Sequence, residues 1–503
     1  MKKVFIKTYG CQMNERDSEA VAAMLQARGY AITDSENDAD VILLNTCSIR
    51  DLAEQKALGK MRLLANLKRQ NPDLVLGFIG CMAQSRGERL LKEQPAVDLV
   101  VGTQKFHRVP EYLDRLIARP TVTGSANRGR EAAPTTTAAI VDVAEEPGSE
   151  SAICDHVLET ADGRQVTAYV SIMQGCDMHC TFCIVPSVRG EERSRPIPEI
   201  VEEVEHLVAA GVKEVTLLGQ IVTGYGRKTM AKKGGKTPFV QLLEAVHEVK
   251  GLERIRFTSP HPKGFGDDLV AAYRDLPKVC EHAHLPVQSG STRILKLMGR
   301  GYSREWYLRI VEKLRAVKPQ IGITTDVIVG FPGETEEDFE QTASLMREVH
   351  FDQAYIFKYS PRRDTEAAGT TDHLSDEVKE MRHQILLDAL NKSMLEQNQR
   401  LVGETMEVLV EGRSYKNPKR LAGRTRNNRI VMFEGTAELI GQLLPIRIER
   451  VTVVTLYGNI VNDNHSIAGG VRPRSAFAKA SAFAEATADK SANVEPRKGI
   501  CVA

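Results

Sequence analysis

The first part of the chain alternates short apolar runs with amphipathic stretches. The apolar runs predict strands at Lys3–Tyr9, Val41–Thr46 and Leu74–Gly80. Between them, Asp17–Arg28 and Leu52–Arg69 carry apolar residues at the spacing of a helix. Such an alternation predicts an α/β domain with an open parallel sheet, which we assign to residues 1–118.

A longer alternation follows over residues 161–394. Strands are predicted at Thr167–Met173, Glu214–Gly219, Arg254–Thr258, His284–Pro286, Gly322–Val329 and Gln353–Tyr359. Helices are predicted at Ile197–Ala210, Pro238–Val249, Asp267–Leu276, Ser291–Met298, Ser303–Val317, Thr335–Val349 and Ser375–Gln397. About six strand–helix units predict a partial (β/α)6 barrel, and its chemistry is expected at the carboxyl ends of the strands.

Residues 395–462 return to short alternating strands. The predicted strands include Glu404–Glu411, Leu444–Val454 and Thr455–Gly458, and Arg424–Phe433 continues the pattern. A turn before Arg424 is basic, with Lys416, Lys419 and Arg420. We predict a small antiparallel β barrel with a basic face.

Two segments lack any apolar period. Residues 119–160 are rich in Ala, Thr, Pro, Gly and Glu, which predicts an extended linker. Residues 463–503 contain Ser475–Ala480 and its near repeat Ser481–Ala486, which predicts a low-complexity, disordered tail. Cys154 and Cys501 lie in these segments and are predicted to be plain thiols.

Composition places the chain among ordinary globular proteins. It has 503 residues, of which 42% are hydrophobic and 26% charged, and its net charge is +1. Any surface for nucleic acid must therefore be local. The basic N-terminus lacks the apolar core of a signal peptide, and no apolar run approaches the ~18 residues of a membrane span. We expect a cytoplasmic protein that does not enter a membrane.

Nine cysteines are too few for a disulfide scaffold in a chain of this length. Cys176, Cys180 and Cys183 have a C-x3-C-x2-C spacing on a loop that leaves a predicted strand. A [4Fe–4S] cluster normally takes four thiolates. Three thiolates would leave one iron free to bind a small molecule. The alternative is a zinc site completed by His179 or by a distant ligand.

Three further cysteines, Cys11, Cys47 and Cys81, each follow one of the first three predicted strands. Ligands of open parallel sheets bind at the carboxyl ends of the strands. These cysteines should therefore converge there and form a second three-thiolate site. The alternative is that they are three small buried apolar residues.

These motifs resemble known families. The stretch 175–183 resembles the signature of the radical S-adenosylmethionine (SAM) enzymes, in which the free iron chelates the methionine moiety. Thr8–Glu19, Asn45–Arg50 and Gly80–Gln84 look like the methylthiotransferase family. The form of Tyr9–Asn14 is most similar to the members that modify N6-isopentenyl-adenosine in tRNA. Residues 395–462 resemble the TRAM domain, a small RNA-binding module.

The resemblance implies a reaction and its cofactors. It implies two [4Fe–4S] clusters, one on Cys176, Cys180 and Cys183 and one on Cys11, Cys47 and Cys81. The first would cleave SAM reductively to the 5′-deoxyadenosyl radical, and the second would carry a sulfur methylated by another SAM. The product would be the 2-methylthio derivative of N6-isopentenyl-adenosine just 3′ of a tRNA anticodon. Residues expected to contact SAM are Gln220, Ser291, Val329 and Arg195.

Further expectations concern partners. The family implies tRNA as substrate and flavodoxin or ferredoxin as electron donor, and we expect a monomer. Two alternatives stay open. One keeps the chemistry but acts on threonylcarbamoyl-adenosine of tRNA or on a ribosomal-protein aspartate. The other is a non-catalytic iron–sulfur protein that binds RNA or transfers electrons.

The chain departs from the family pattern at Ile221–Tyr225, at a basic insert of residues 227–236, and at Arg363 and Asp364. These departures leave the cysteines untouched but affect the expected fit of the substrate. His261, His282 and His284 are predicted to be structural rather than metal ligands.

Overall fold

A computed structural model describes residues 1–48, 51–118, 139–146, 148–151 and 165–461. The predicted tail, most of the predicted linker, Cys154 and Cys501 lie outside these residues. Within the described ranges, no helix is long and apolar enough to cross a bilayer.

The N-terminal domain is a six-stranded sheet in which every pairing is parallel. Its strands are β1 (Lys3–Tyr9), β2 (Ala31–Ile32), β3 (Val41–Thr46), β4 (Val75–Ile79), β5 (Leu99–Val101) and β6 (Ile140–Asp142). Its helices are α1 (Gln12–Ala27), α2 (Asp51–Gln70), α3 (Cys81–Arg86), α4 (Arg89–Glu93) and α5 (Val109–Ile117). The spatial order β2-β1-β3-β4-β5-β6 puts β1, β3 and β4 side by side.

Both faces of this sheet are buried. Along β3, Val41 and Leu43 belong to one apolar core, while Ile42 and Leu44 belong to the core on the other face. This explains the continuous apolar run in the sequence, because a parallel sheet covered on both sides needs apolar residues at every position. Strand β6 lies within the predicted linker and was missed, since three residues give no usable period.

The central domain is a partial barrel of six parallel strands with helices outside. The strands form two halves, β11-β10-β7 and β12-β13-β14, joined by a parallel bridge between Ile255 and Val279. The strands are β7 (Thr167–Ser171), β10 (Glu214–Leu218), β11 (Arg254–Phe257), β12 (His282–His284), β13 (Gly322–Val329) and β14 (Gln353–Lys358), and β8 (Met173–Gln174) pairs with β9 (Arg193–Ser194) outside the barrel.

The helices of this domain are α6 (Val185–Arg189), α7 (Ile197–Ala209), α8 (Pro238–His247), α9 (Asp267–Asp275), α10 (Thr292–Leu297), α11 (Arg304–Val317), α12 (Glu336–Val349) and α13 (Asp376–Gln399). Short 3-10 helices occur at Glu36–Asp38, Phe106–Arg108, Val222–Gly224, Pro262–Gly264, Glu366–Gly369 and Ala437–Leu439. The partial barrel agrees with the prediction. Helix α6 was missed, because it is too short to show a helical period.

The C-terminal domain is a closed five-stranded barrel in the order β15-β16-β17-β19-β18. Its strands are β15 (Thr405–Arg413), β16 (Arg420–Thr425), β17 (Ile430–Glu434), β18 (Leu443–Val451) and β19 (Thr455–Ile460). The small β barrel was predicted, but the pairing of β17 with β19 is parallel, so the barrel is not wholly antiparallel.

The two outer domains contact opposite ends of the central barrel. Gln12 of the N-terminal domain donates to the Tyr169 hydroxyl at 3.3 Å, and Leu218 at the end of β10 packs against Cys11 and Cys47. At the other end, Arg254 begins β11 and donates to the carbonyl oxygen of Arg424 at 2.8 Å. The N-terminal domain therefore covers the carboxyl ends of the barrel strands, where chemistry is expected.

Candidate functional site

The three cysteines of the N-terminal domain lie at the ends of adjacent strands. Cys11 follows β1 and precedes α1, Cys47 follows β3, and Cys81 begins α3 directly after β4. The backbone N–H of Cys47 donates to the Tyr9 carbonyl at 2.8 Å, which holds the two strand ends together. The predicted convergence at the carboxyl edge of the sheet is therefore present.

A buried amide network supports this edge. Asn14 Nδ2 donates to Asn45 Oδ1 at 2.8 Å, and Asn45 Nδ2 donates back to the carbonyl of Asn14 at 2.8 Å. Gly80, just before Cys81, has φ +93°, and a Cβ there would lie 2.2 Å from Asn45 Oδ1. Only glycine fits this position, so the network and the turn together set where the Cys81 backbone lies.

Charge is unevenly distributed among these thiols. A hydrogen bond with Cys47 lowers the pKa of Cys11 to about 6; burial opposes this shift and the positive charge of Arg189 assists it. Burial raises the pKa of Cys81, although Arg189 again acts in the lowering direction. The site therefore favours at least one thiolate near neutral pH, which is the form that binds metals.

The second cysteine loop, residues 175–183, follows β8. Gly175 has φ +79°, and a Cβ there would lie 1.9 Å from the Glu191 carbonyl oxygen, so the chain needs glycine immediately before Cys176. The Phe182 ring packs edge-on against Phe331 with centroids 6.4 Å apart. Thr181 N–H donates to the Met298 carbonyl at 3.2 Å. The C-terminal end of the loop is thus held against the central domain.

Each thiol of this loop has one N–H donor beside its sulfur. Met178 N–H lies 3.4 Å from Cys176 Sγ, and Val185 N–H lies 3.4 Å from Cys183 Sγ. The third donor is Nη1 of Arg300, which lies 3.4 Å from Cys180 Sγ. Burial raises the pKa of Cys176 to about 11 and that of Cys183 above its ordinary value. Metal binding must therefore displace protons from these thiols.

One cavity, with a volume of about 50 Å³, lies between Cys11 and the cysteines of the 175–183 loop. Its walls carry Cys11 from the N-terminal domain and all three cysteines of the 175–183 loop. The other lining residues are Gln12, Met13, Met178, Val185, Arg189, Leu218, Gly219, Gln220, Ile221, Thr258, Ser259 and Arg300. Groups held by the two cysteine sets would face each other across this space.

Each donor set consists of three cysteine side chains, and cysteine thiolates are the usual ligands of iron–sulfur clusters. In the described part of the chain, no group of three or more His, Cys, Asp or Glu side chains is arranged to hold one metal ion. Zinc requires thiolates about 2.3 Å from one centre. N–H donors aimed at ligand sulfurs are also a known means of tuning such clusters.

The four residues expected to contact SAM differ in their positions and in their hydrogen-bond partners. Gln220 lines the cavity, and its Oε1 has no hydrogen-bond partner among the described residues. Val329 is buried at the end of β13. Arg195 donates to the Ser171 carbonyl at 2.8 Å and pairs with Glu203. Ser291 donates to Asp338 at 2.6 Å. The direct SAM contacts of these residues stay predictions.

Several residues of the site were missed by sequence reasoning. Arg189 and Arg300 both line the cavity and are nearly fully buried. Ser259 also lines it and has φ +62°, an unusual conformation for a residue with a side chain. The one signal for Arg300 in the sequence was its place between Gly299 and Gly301.

The histidines and the basic insert have structural contacts. His282 Nε2 and His284 Nδ1 each lie 3.0 Å from the Thr324 hydroxyl, and burial lowers the pKa of His261 to about 2. In the insert, Arg227 and Lys228 pair with Asp177 on the cysteine loop. The insert therefore contacts this loop through ion pairs on its outer side.

Comparison with known families defines the class of protein. Residues 3–102 match the family described as Uncharacterized protein family UPF0004, residues 170–346 match the Radical SAM superfamily, and residues 399–461 match the TRAM domain. The fold resembles that of the radical SAM methyltransferase TsrM from Kitasatospora setae, with a TM-score of 0.50 and 12% identity over 73% of this chain and 77% of that one. This is a radical SAM protein, a class that uses an iron–sulfur cluster and SAM.

Curated relatives narrow the class. A protein of Opitutus terrae is 55% identical over 92% of this chain and 98% of its own length. A protein of Acetivibrio thermocellus is 46% identical over 92% of this chain and 91% of its own length. Both are named tRNA-2-methylthio-N(6)-dimethylallyladenosine synthase. The chain belongs to this family of methylthiotransferases.

Proposed function

We propose that this protein is the radical SAM methylthiotransferase that converts N6-isopentenyl-adenosine of tRNA, just 3′ of the anticodon, to its 2-methylthio derivative. The single observation that carries the proposal is the shared cavity, in which Cys11 faces Cys176, Cys180 and Cys183. An enzyme that inserts sulfur at an unactivated carbon needs a radical-generating site and a sulfur-supplying site within reach of one substrate atom.

The proposal gives the cysteines two roles. Cys176, Cys180 and Cys183 hold one [4Fe–4S] cluster, and Cys11, Cys47 and Cys81 hold a second. When bound, these clusters and SAM supply the radical and sulfur chemistry that an inert aromatic C–H bond requires. The protein's own contribution is to hold the two sites against one cavity and to neutralise their thiolates with Arg189 and Arg300.

The walls of the cavity favour this chemistry. Leu218, Ile221 and Val185 are almost completely buried, and they place apolar surface beside the cysteines. An apolar, enclosed site excludes water, which protects a reactive intermediate from side reactions. Gln220 supplies a polar side chain on the same wall, where it can orient the polar part of SAM.

The C-terminal barrel is proposed to hold the tRNA. Its β15–β16 connection carries Lys416 and Lys419, and Tyr415 there is fully exposed. Basic and aromatic side chains together suit RNA, because they pair with phosphates and stack on bases. The same proposal includes a flavodoxin- or ferredoxin-type electron donor, a monomer and a cytoplasmic location.

The test is nucleoside mass spectrometry of total tRNA from a strain lacking the gene. The 2-methylthio-isopentenyl nucleoside should disappear and its unthiolated precursor should accumulate. The unsubstituted gene should restore the product, whereas Cys176→Ala and Cys81→Ala should not. Cys280→Ala is the matched control, since Cys280 is also buried but belongs to neither set of three cysteines. An unchanged product would redirect the search to threonylcarbamoyl-adenosine and to ribosomal-protein aspartate.

A further inference from the structure

Arg189 belongs to the central domain but reaches into the N-terminal one. It ends α6, which follows the loop of Cys176, Cys180 and Cys183. Its Nη2 donates to Oδ2 of Asp17 on α1 at 2.9 Å, and the two side chains are 4% and 0% exposed. Asp17 is six positions after Cys11. A buried ion pair thus crosses the domain interface beside the first cysteine.

Arg189 lies beside two thiols of the N-terminal site, those of Cys11 and Cys81. Arg189 and Cys11 line the same cavity. Cys81 packs against Ile184 and Val188 of the Arg189 segment, and the Thr103 hydroxyl donates to the Val188 carbonyl at 2.8 Å. A hydrogen bond with Cys47 and the positive charge of Arg189 lower the pKa of Cys11, whereas burial raises the pKa of Cys81 and Arg189 opposes that rise.

One end of the guanidinium still lacks a partner. Nη1 of Arg189 is buried and has no hydrogen-bond partner among the described residues. Buried charged donors are almost always paired, because leaving one unmatched is costly. Asp17 occupies Nη2, so Nη1 can donate to a further acceptor bound in the cavity.

We propose that Arg189 is a positioning residue for the sulfur-containing group held by Cys11, Cys47 and Cys81, with Asp17 fixing its orientation and Nη1 donating to a sulfur of that group. The inference rests on the proposed function, which places a cluster there. A buried positive charge stabilises the more negative, reduced state of a cluster, so Arg189 raises its reduction potential.

The test uses the full chain with Cys176, Cys180 and Cys183 all changed to Ala, so that only the N-terminal site can be loaded. Iron and sulfide per chain are measured first, and the midpoint potential follows by spectroscopic redox titration. Arg189→Gln, Arg189→Lys and Asp17→Asn are compared. Arg256→Gln is the matched control, because Arg256 is also a buried arginine, paired with Glu214 at 2.8 Å at the far end of the barrel.

Opposite shifts are expected from the two partners. Arg189→Gln removes a positive charge and should make reduction at least tenfold less favourable, which corresponds to about 59 mV for one electron. Asp17→Asn removes a negative charge and should shift the potential upward. Arg189→Lys keeps the charge and should lie between the parent and Arg189→Gln. If Arg189 had a purely structural role, Arg189→Gln and Asp17→Asn should both lose iron, and their midpoint potentials should not shift in opposite directions.

Failure of the inference can be separated from failure of the proposed function. If the parent with three alanines binds no iron, the second cluster is wrong and the inference falls with it. If iron is retained and Arg189→Gln matches the Arg256→Gln control, only the inference is wrong. Should Arg189→Gln lose its iron, unchanged potentials in both Asp17→Asn and Arg189→Lys would overturn it.

Discussion

Arg300 donates a hydrogen bond from Nη1 to Sγ of Cys180 over 3.4 Å. Its Nε donates to the Tyr302 hydroxyl at 3.2 Å, and that hydroxyl donates to the Val287 carbonyl at 2.9 Å. The guanidinium also lies over the Tyr302 ring, 5.6 Å from its centroid. A buried positive charge is therefore held rigidly beside one proposed ligand of the radical SAM cluster.

Replacing Arg300 should slow reductive cleavage of SAM. Hydrogen bonds to charged groups contribute about 1.5–3 kcal/mol, so Arg300→Gln should make reduction of the cluster roughly tenfold less favourable, or more. The measurement is the rate of 5′-deoxyadenosine formation without tRNA at a fixed reductant concentration, normalised to bound iron.

Arg304→Gln serves as the control for Arg300. Arg304 begins α11 and pairs with Glu348 at 2.7 Å, outside the cavity. Its cleavage rate should equal that of the unsubstituted protein. A normal rate in Arg300→Gln with full iron content would show that the contact with Cys180 has no influence on the cluster.

His282 should make the protein sensitive to acid. Burial, followed by the charge of Arg256, lowers the pKa of His282 well below its ordinary value. The folded protein keeps this ring neutral, whereas the unfolded chain binds a proton below about pH 6.5. Unfolding then takes up a proton, so the free energy of unfolding falls by about 1.4 kcal/mol for each pH unit below that value.

The measurement is the urea midpoint of the iron-free protein between pH 5 and 7. His282→Gln should reduce the slope of stability against pH by one proton, even if it lowers stability at every pH. His206→Gln, at an exposed position on α7, is the histidine control. Equal slopes in the His282 variant and the unsubstituted protein would contradict the buried neutral state.

The cysteines of the site could be predicted because their signals are local. Cys176, Cys180 and Cys183 lie within one loop, and the other three follow strands whose apolar runs are plain in the sequence. Arg189 and Arg300 could not be predicted in the same way. Arg189 meets Asp17 across 172 positions and Arg300 meets Cys180 across 120, and such contacts depend on how the domains pack.

The basic residues of the C-terminal domain show the same limit. The sequence predicted a basic face for this domain without distinguishing its individual arginines and lysines. Arg426, however, donates to Glu281 at 2.6 Å and to the Pro277 carbonyl at 2.7 Å, and Arg429 pairs with Asp352. These arginines fasten the small barrel to the central domain. Nothing in composition distinguishes them from Lys416 and Lys419.

Arg426→Ala should therefore weaken docking of the C-terminal barrel. The side chain is about a quarter exposed, so we expect a loss of roughly 2 kcal/mol rather than the larger cost of a fully buried pair. Urea unfolding and limited proteolysis near residues 400–404 would measure it. Lys419→Ala, on an exposed turn of the same domain, should leave both unchanged. Equal stability of the two variants would show that Arg426 does not hold the domains together.

Tyr415 should act on tRNA binding and not on the fold. Its side chain is 103% exposed, between strands β15 and β16 and beside Lys416. Stacking of a base on an aromatic ring contributes about 1–3 kcal/mol, so Tyr415→Ala should weaken tRNA binding roughly 5- to 150-fold. Lys419→Gln should instead reduce the slope of log affinity against log salt by about one. Fluorescence anisotropy over a salt series measures both, with exposed Lys313→Gln on the central barrel as control. Unchanged affinity in both variants would place the RNA on another face.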